Sequence, residues 1–176
     1  MFLHFELIKL GLVLLVVSSL VSCKGRDPLL QKSYEHYIGY LDPETTISSK
    51  GFEVCGQGKI SATHHGAEGL GYKPNKWGFK KRIENKYDKK NYTDSGYVFF
   101  RFIVNCNGLS GRFEIIQTNL EMEEVTLNPE MVEQLYELTK DGENWNAPKN
   151  NISEPINYYT YVFYKIQNGE ITEILP

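Results

Sequence analysis

No run in this chain of 176 residues is long and apolar enough to cross a bilayer as a helix. The longest, Leu10 to Val21, has twelve residues, where a spanning helix needs about 20. There is also no Gly-rich phosphate loop, no G-x-S-x-G elbow and no paired zinc-ligand motif, so no motif points to nucleotide, elbow-serine or structural-zinc chemistry. Internal repeats and low-complexity tracts are absent. An excess of one charge is missing too: 19 Lys and Arg stand against 22 Asp and Glu, a net charge of −3. That balance does not recommend nucleic acid as a partner. Nothing in the chain calls for a cofactor.

What is present begins with targeting. Twelve apolar residues suit the core of a signal peptide, and the small Ser22 before Cys23 suits a cleavage site. Leu20-Val21-Ser22-Cys23 resembles the bacterial lipobox, which implies cleavage after residue 22 and a lipid (diacylglycerol, with palmitate-type chains) on Cys23. The resemblance implies residues 1–22 as signal, 23–33 as a lipidated tether, and a membrane partner through the N-terminal lipid. The expected location is the bacterial cell envelope, the outer membrane favoured over the inner. At about 3.3 Å per extended residue the tether keeps the domain close to its membrane. Two sequons, at Asn91 and Asn151, would matter only in a eukaryotic secretory route.

Export leaves two cysteines, Cys55 and Cys106, in an oxidising compartment where thiols pair. Only one pairing is open to them, so a Cys55–Cys106 disulfide is expected. A catalytic cysteine is the competing idea, but neither has a histidine beside it in sequence.

The remainder, residues 34–176, has the size of a single domain. Glycines at 51, 56, 58, 66, 69 and 71 mark a loop-rich region around one short predicted strand, Phe52 to Cys55. Asn75 opens a predicted helix through Tyr87, with Phe79, Ile83 and Tyr87 on one stripe. Gly96 to Asn105 is the strongest strand: Val98, Phe100, Phe102 and Val104 take one face, and Tyr97, Phe99, Arg101 and Ile103 the other. Apolar residues on both faces mark an interior strand. Asn107-Gly108 turns the chain into a returning strand, Gly111 to Thr118. Asn128-Pro129-Glu130 starts a second helix carrying Met131, Val132, Leu135, Tyr136 and Leu138, and Gly142 is placed to end it. Ile156 to Gln167 and Glu170 to Leu175 form a hairpin about Asn168-Gly169. The order implies an α+β fold: an antiparallel sheet of three or more strands with two helices packed on one face.

These elements, quoted as "GYVFFRFIVNCNGLSGRFEII" and "WNAPKNNISEPINYYTYVFYKIQNGEI", resemble the carboxy-terminal domain of the TonB family over residues 72–170. The resemblance rests on Gly96, Val98, Phe102, Val104, the Asn107-Gly108 turn, Phe113, Ile115, the second helix, and Trp145 to Pro148. It implies recognition of a receptor peptide by strand pairing. The chain departs from TonB itself in its cleavable leader, in seven scattered prolines where TonB has a proline-rich spacer, and in a Trp-to-Pro spacing one residue longer. It is closer in plan to the lipid-anchored TonB-like proteins of the Bacteroidetes group.

Candidate sites are few. Tyr158, Tyr159, Tyr161, Val162, Phe163 and Tyr164 crowd one strand, so that rings fall on both faces. They are core and cross-strand pairs, or a surface or edge that receives an extended peptide of an envelope protein. His64-His65 with Glu68 is the nearest approach to a metal site, but adjacent histidines diverge and His36 is distant in sequence; the reading is no metal. Eight Lys or Arg lie between Lys73 and Lys90, and eight acidic residues between Glu121 and Glu143. Both patches read as solvated helix faces or as electrostatic contacts with anionic lipid headgroups or an acidic partner. The expected function is thus a non-catalytic, lipid-anchored binding protein. The alternatives are a glycan-acting enzyme using Glu68 and Asp141, and a structural lipoprotein.

Overall fold

The computed structural model describes residues 41–48, 50–56, 58–61, 71–147 and 154–175. Cys23, the leader and tether, His36, His64, His65, Glu68 and Asn151 lie outside them.

Two helices form where the capping residues place them. Helix α1, Lys76–Lys86, starts at Asn75, whose side-chain oxygen accepts the Gly78 N–H at 2.9 Å. Helix α2, Pro129–Lys140, starts at Asn128, whose side chain accepts the N–H groups of Glu130 and Met131 at 3.0 and 3.2 Å. Pro129 and Glu130 suit the first turn, where a missing N–H costs nothing and a negative charge meets the positive end of the helix dipole. The helix stops before Gly142, and a single 3-10 turn, Gly142–Asn144, follows with Asp141 as its cap.

The sheet has five strands: β1 (Ile60–Ser61), β2 (Gly96–Val104), β3 (Ser110–Thr118), β4 (Asn157–Gln167) and β5 (Glu170–Leu175). Their order is β1-β4-β2-β3, and β5 also pairs with β4. β2, β3, β4 and β5 join antiparallel, but β1 runs parallel to β4, with Ile60 opposite Asn157 and Ser61 opposite Tyr158. The sheet is therefore mixed, a correction to the antiparallel expectation. The cause is Asn157. Its amide donates to the carbonyls of Cys55 (3.1 Å) and Lys59 (2.9 Å), and its oxygen accepts the N–H groups of Cys55 (2.9 Å) and Cys106 (3.3 Å). This clasp lays residues 55–61 beside the start of β4, in the same direction.

Cys55 and Cys106 are bonded, with Cα atoms 6.0 Å apart. Phe52 to Cys55 is not a strand, the second correction: the disulfide, Asn157 and the Asn105 amide (to the Glu53 carbonyl, 2.9 Å) hold this segment in place of a ladder. Asn105 also organises the β2–β3 turn, its oxygen accepting the N–H groups of Asn107 and Leu109 at 3.0 Å each.

Both helices cover the same face of the sheet. Phe79 and Ile83 of α1, and Met131, Val132, Leu135 and Tyr136 of α2, join Val98, Phe100, Phe102, Val104, Phe113, Val162 and Tyr164 in one buried cluster. Trp145 is its hub. Its ring lies 4.9 Å from Phe102 and 5.5 Å from Phe79, and its indole N–H donates to the Thr139 carbonyl at 2.9 Å. Arg82 stitches α1 to this region, donating to the Asn144 side chain and to the carbonyls of Lys73 and Glu143, the latter two at 3.2 Å each.

Candidate binding face

Strand alternation sends Tyr97, Phe99, Arg101 and Ile103 of β2 to the side that carries neither helix. The register extends that side across the sheet. Phe99 faces Phe163 and Ile116, Arg101 faces Tyr161 and Glu114, and Tyr97 faces Lys165. The rings form a continuous stripe: Tyr97 stacks on Phe163 at 5.0 Å, Phe163 meets Phe99 edge-on at 5.7 Å, and Phe99 lies 5.6 Å from Tyr161. All four are half-buried.

One end of this face is closed. The ladder shifts between Arg101 and Ile103, so that Gly111 rather than Arg112 lies opposite Ile103. Arg112 is the extra residue and takes a positive φ of 52°. A Cβ on Gly111 would fall 2.2 Å from the Phe52 ring, so the missing side chain is what admits Phe52 against the sheet. Ile103 is correspondingly fully buried.

The other end is open. Tyr97, Phe99, Ile116, Thr118, Met122 and Phe163 line a hollow of about 220 Å³, almost wholly apolar. Met122 reaches it from the 119–124 loop and is 61% exposed. The loop is held by Asn119, whose side-chain oxygen accepts the N–H groups of Glu121 (3.0 Å) and Glu123 (2.9 Å), and by a bridge between Thr118 and Glu124. Ion pairs flank the stripe: Arg101 with Glu114 at 2.6 Å, and Lys165 with Glu173 at 2.9 Å. The hydrogen bond and charge of Glu173 raise the Lys165 pKa.

The six aromatic-strand candidates divide between the faces. Tyr158, Val162 and Tyr164 are fully buried beneath the helices. The Tyr158 hydroxyl accepts from the Gly71 N–H at 3.3 Å and donates to the Asn146 carbonyl at 3.0 Å. Thr139 donates to the Leu135 carbonyl at 2.6 Å, so the Tyr164 hydroxyl donates to the Thr139 oxygen at 2.8 Å. Burial pushes the pKa of both tyrosines well above the ordinary value. These three build the core, so the six do not form one surface, a further correction. Tyr161 and Phe163 lie on the open stripe, and Tyr159, opposite Ile103, is half-buried near its closed end. β2 pairs with β4 from Tyr158 to Ile166, while on the other side, among the described residues, β1 meets only Asn157 and Tyr158 and β5 only Phe163 to Gln167, so strands cover the two ends of that edge and not residues 159–162.

Tyr97, Phe99, Ile116 and Met122 were not singled out as candidates from the sequence. The signal that finds them is register: they become one surface only when β3 and β4 are set on either side of β2. Asp141, an acid of the enzyme alternative, is used structurally. It accepts the Glu143 N–H at 3.0 Å and pairs with Lys86 at 3.4 Å. Among the described residues no group of three or more His, Cys, Asp or Glu could hold a metal ion, and no helix is long and apolar enough to cross a membrane.

Comparison with protein families, with curated proteins and with solved structures finds no match to this chain.

Proposed function

We propose that this chain is a lipid-anchored protein of the bacterial envelope that binds a protein or peptide without catalysis, through the open end of the helix-free sheet face. One observation carries the reading: four rings, Ile116 and Met122 form an apolar surface beside which Arg101–Glu114 and Lys165–Glu173 supply paired charge. Aromatic rings and methionine in a shallow hollow, with a polar rim, are what protein interfaces use. The resemblance of residues 72–170 to the TonB carboxy-terminal domain supports a peptide partner. Here the apolar contacts come from the sheet surface, since β1 and β5 occupy the two ends of the outer edge of β4.

The lipid is assigned to Cys23 by the lipobox. Replacing Cys23 with Ala is expected to release the protein from the membrane fraction; a variant that pellets unchanged contradicts the anchor. The binding reading is tested with a photo-crosslinking residue at Phe99 or Tyr161 in the native envelope. Repeated capture of one envelope protein, identified by mass spectrometry and lost with Phe163→Ser, supports it. No capture, alongside turnover of a wall glycan, overturns it.

A further inference from the structure

Helix α1 buries Phe79 and Ile83 and turns its opposite side to solvent. At 100° per residue the middle of that outer side falls between Trp77 and Lys81, with Glu84 and Lys80 beside them and the exposed Lys76 on the flank in the first turn. Trp77 is 69% exposed, a rare position for so large an apolar ring. Lys81 sits over it, its ammonium 5.0 Å from the ring centre. Among the described residues, only Lys80 of the three lysines has a carboxylate within reach, Glu84 at 3.7 Å. Of the other cations of the basic stretch, Lys86 pairs with Asp141, Lys89 with Glu170 and Lys90 with Glu130, Arg82 donates to the neutral Asn144 side chain and two carbonyls, and Lys73 has no acidic partner among the described residues. Among the described residues, positive charge without an acidic partner thus lies beside the exposed indole at Lys81, at Lys76 in the first turn and at Lys73 just before the helix.

We infer that this face of α1 docks on an anionic lipid surface. The chemistry fits that occupant on two counts. Lysines without acidic partners are drawn to anionic headgroups, and an indole with an apolar body and one N–H settles at the boundary between headgroups and acyl chains. A nucleic acid would meet only a one-helix patch on a chain of net charge −3. The helix lies between this face and the sheet, so docking turns the aromatic stripe away from the membrane. The inference stands without the lipid on Cys23.

The chain has two tryptophans, and Trp145 is fully buried, so a change in emission on lipid binding reports Trp77. The test uses the full chain with vesicles of phosphatidylcholine, alone or containing one-third phosphatidylglycerol. The expected result is a blue shift and protection from acrylamide on the anionic vesicles only, reversed by salt above about 0.15 M. Lys76→Glu with Lys81→Glu is expected to weaken this association at least roughly 25-fold, about fivefold for each lysine. Trp77→Phe abolishes the shift while the Trp145 emission reports an intact fold. The leader is common to every variant, so its own membrane affinity cancels. The inference is overturned by no shift, by an equal shift on neutral vesicles, by indifference to the charge reversals, or by the same face being protected by RNA or an acidic protein and not by vesicles.

Discussion

The two faces of the sheet are made from the same strands and nearly the same residue types, yet they are covered differently. On the helix side, Val98, Phe100, Phe102, Val162 and Tyr164 are fully buried, and their polar neighbours are satisfied by α2 and the Trp145 segment. On the other side, Tyr97, Phe99, Tyr161 and Phe163 are only half-covered, and Phe52 closes one end alone. A strand that alternates aromatic with aromatic does not declare which face is core. What decides is where helices and loops land. The apolar surface left over carries a charged rim, the pattern on which the proposed binding role rests.

The comparison breaks most severely if the helix side is emptied. Trp145→Ala removes a fully buried ring that touches Tyr72, Phe79 and Phe102 and orphans the Thr139 carbonyl. It is expected to cost about 3–5 kcal/mol in urea unfolding. Opening the disulfide, as Cys55→Ser with Cys106→Ser, is expected to cost about 2–4 kcal/mol and to loosen the 41–61 segment first. Hydrogen exchange of residues 52–61 against those of β2 reads that order.

Gly169→Ala comes next. Gly169 has φ +74°, and a Cβ there would lie 2.2 Å from the Tyr92 carbonyl oxygen. A loss of about 1–3 kcal/mol is expected from strain and displacement of the hairpin. Alkaline pH sharpens the contrast without mutation. Burial, then the nearby Tyr92, Asp88 and Asp94, pushes the Tyr87 hydroxyl up to about 12, and Tyr72, Tyr158 and Tyr164 are raised as well. A raised acid is held neutral by the fold, so its contribution is whole below the unfolded value of about 10 and lost above it. Thermal melts are expected to hold up to pH about 10 and fall as pH climbs to about 12, the range in which Tyr87 ionises. The smallest effect belongs to the open face: Glu114→Gln, which breaks a part-exposed ion pair with Arg101, is expected to change stability by under about 1 kcal/mol.

Much of the frame was legible from local chemistry. Asn75, and Asn128 with Pro129, announce helices because capping needs nothing from elsewhere in the chain. Asn168-Gly169 announces its hairpin because both residues take positive φ, at 49° and 74°. The stripe Phe79, Ile83 and Tyr87 named the inward side of α1, and the β2 alternation sorted its residues onto two faces without saying which was core. The cystine too followed from the expectation of export, which leaves two thiols with one pairing open to them. What was not legible depends on partners far apart in sequence. β1 is a two-residue strand set by the Asn157 side chain, and no periodicity fits in two residues. The division of Tyr158 to Tyr164 was hidden because every second residue on both sides is large. The open hollow draws on β2, β3, β4 and the 119–124 loop together, so only the register reveals it.

The central claim, that one face carries stability and the other recognition, is tested most directly by two neighbours on β4. Val162 points under the helices and Phe163 onto the open stripe. Urea unfolding and crosslinked capture in the native envelope are measured in parallel for Val162→Ala and Phe163→Ser. The account predicts that Val162→Ala loses about 1–3 kcal/mol and that its folded fraction still captures the partner. Phe163→Ser is predicted to lose less stability and to abolish capture. Unimpaired capture by folded Phe163→Ser would contradict it.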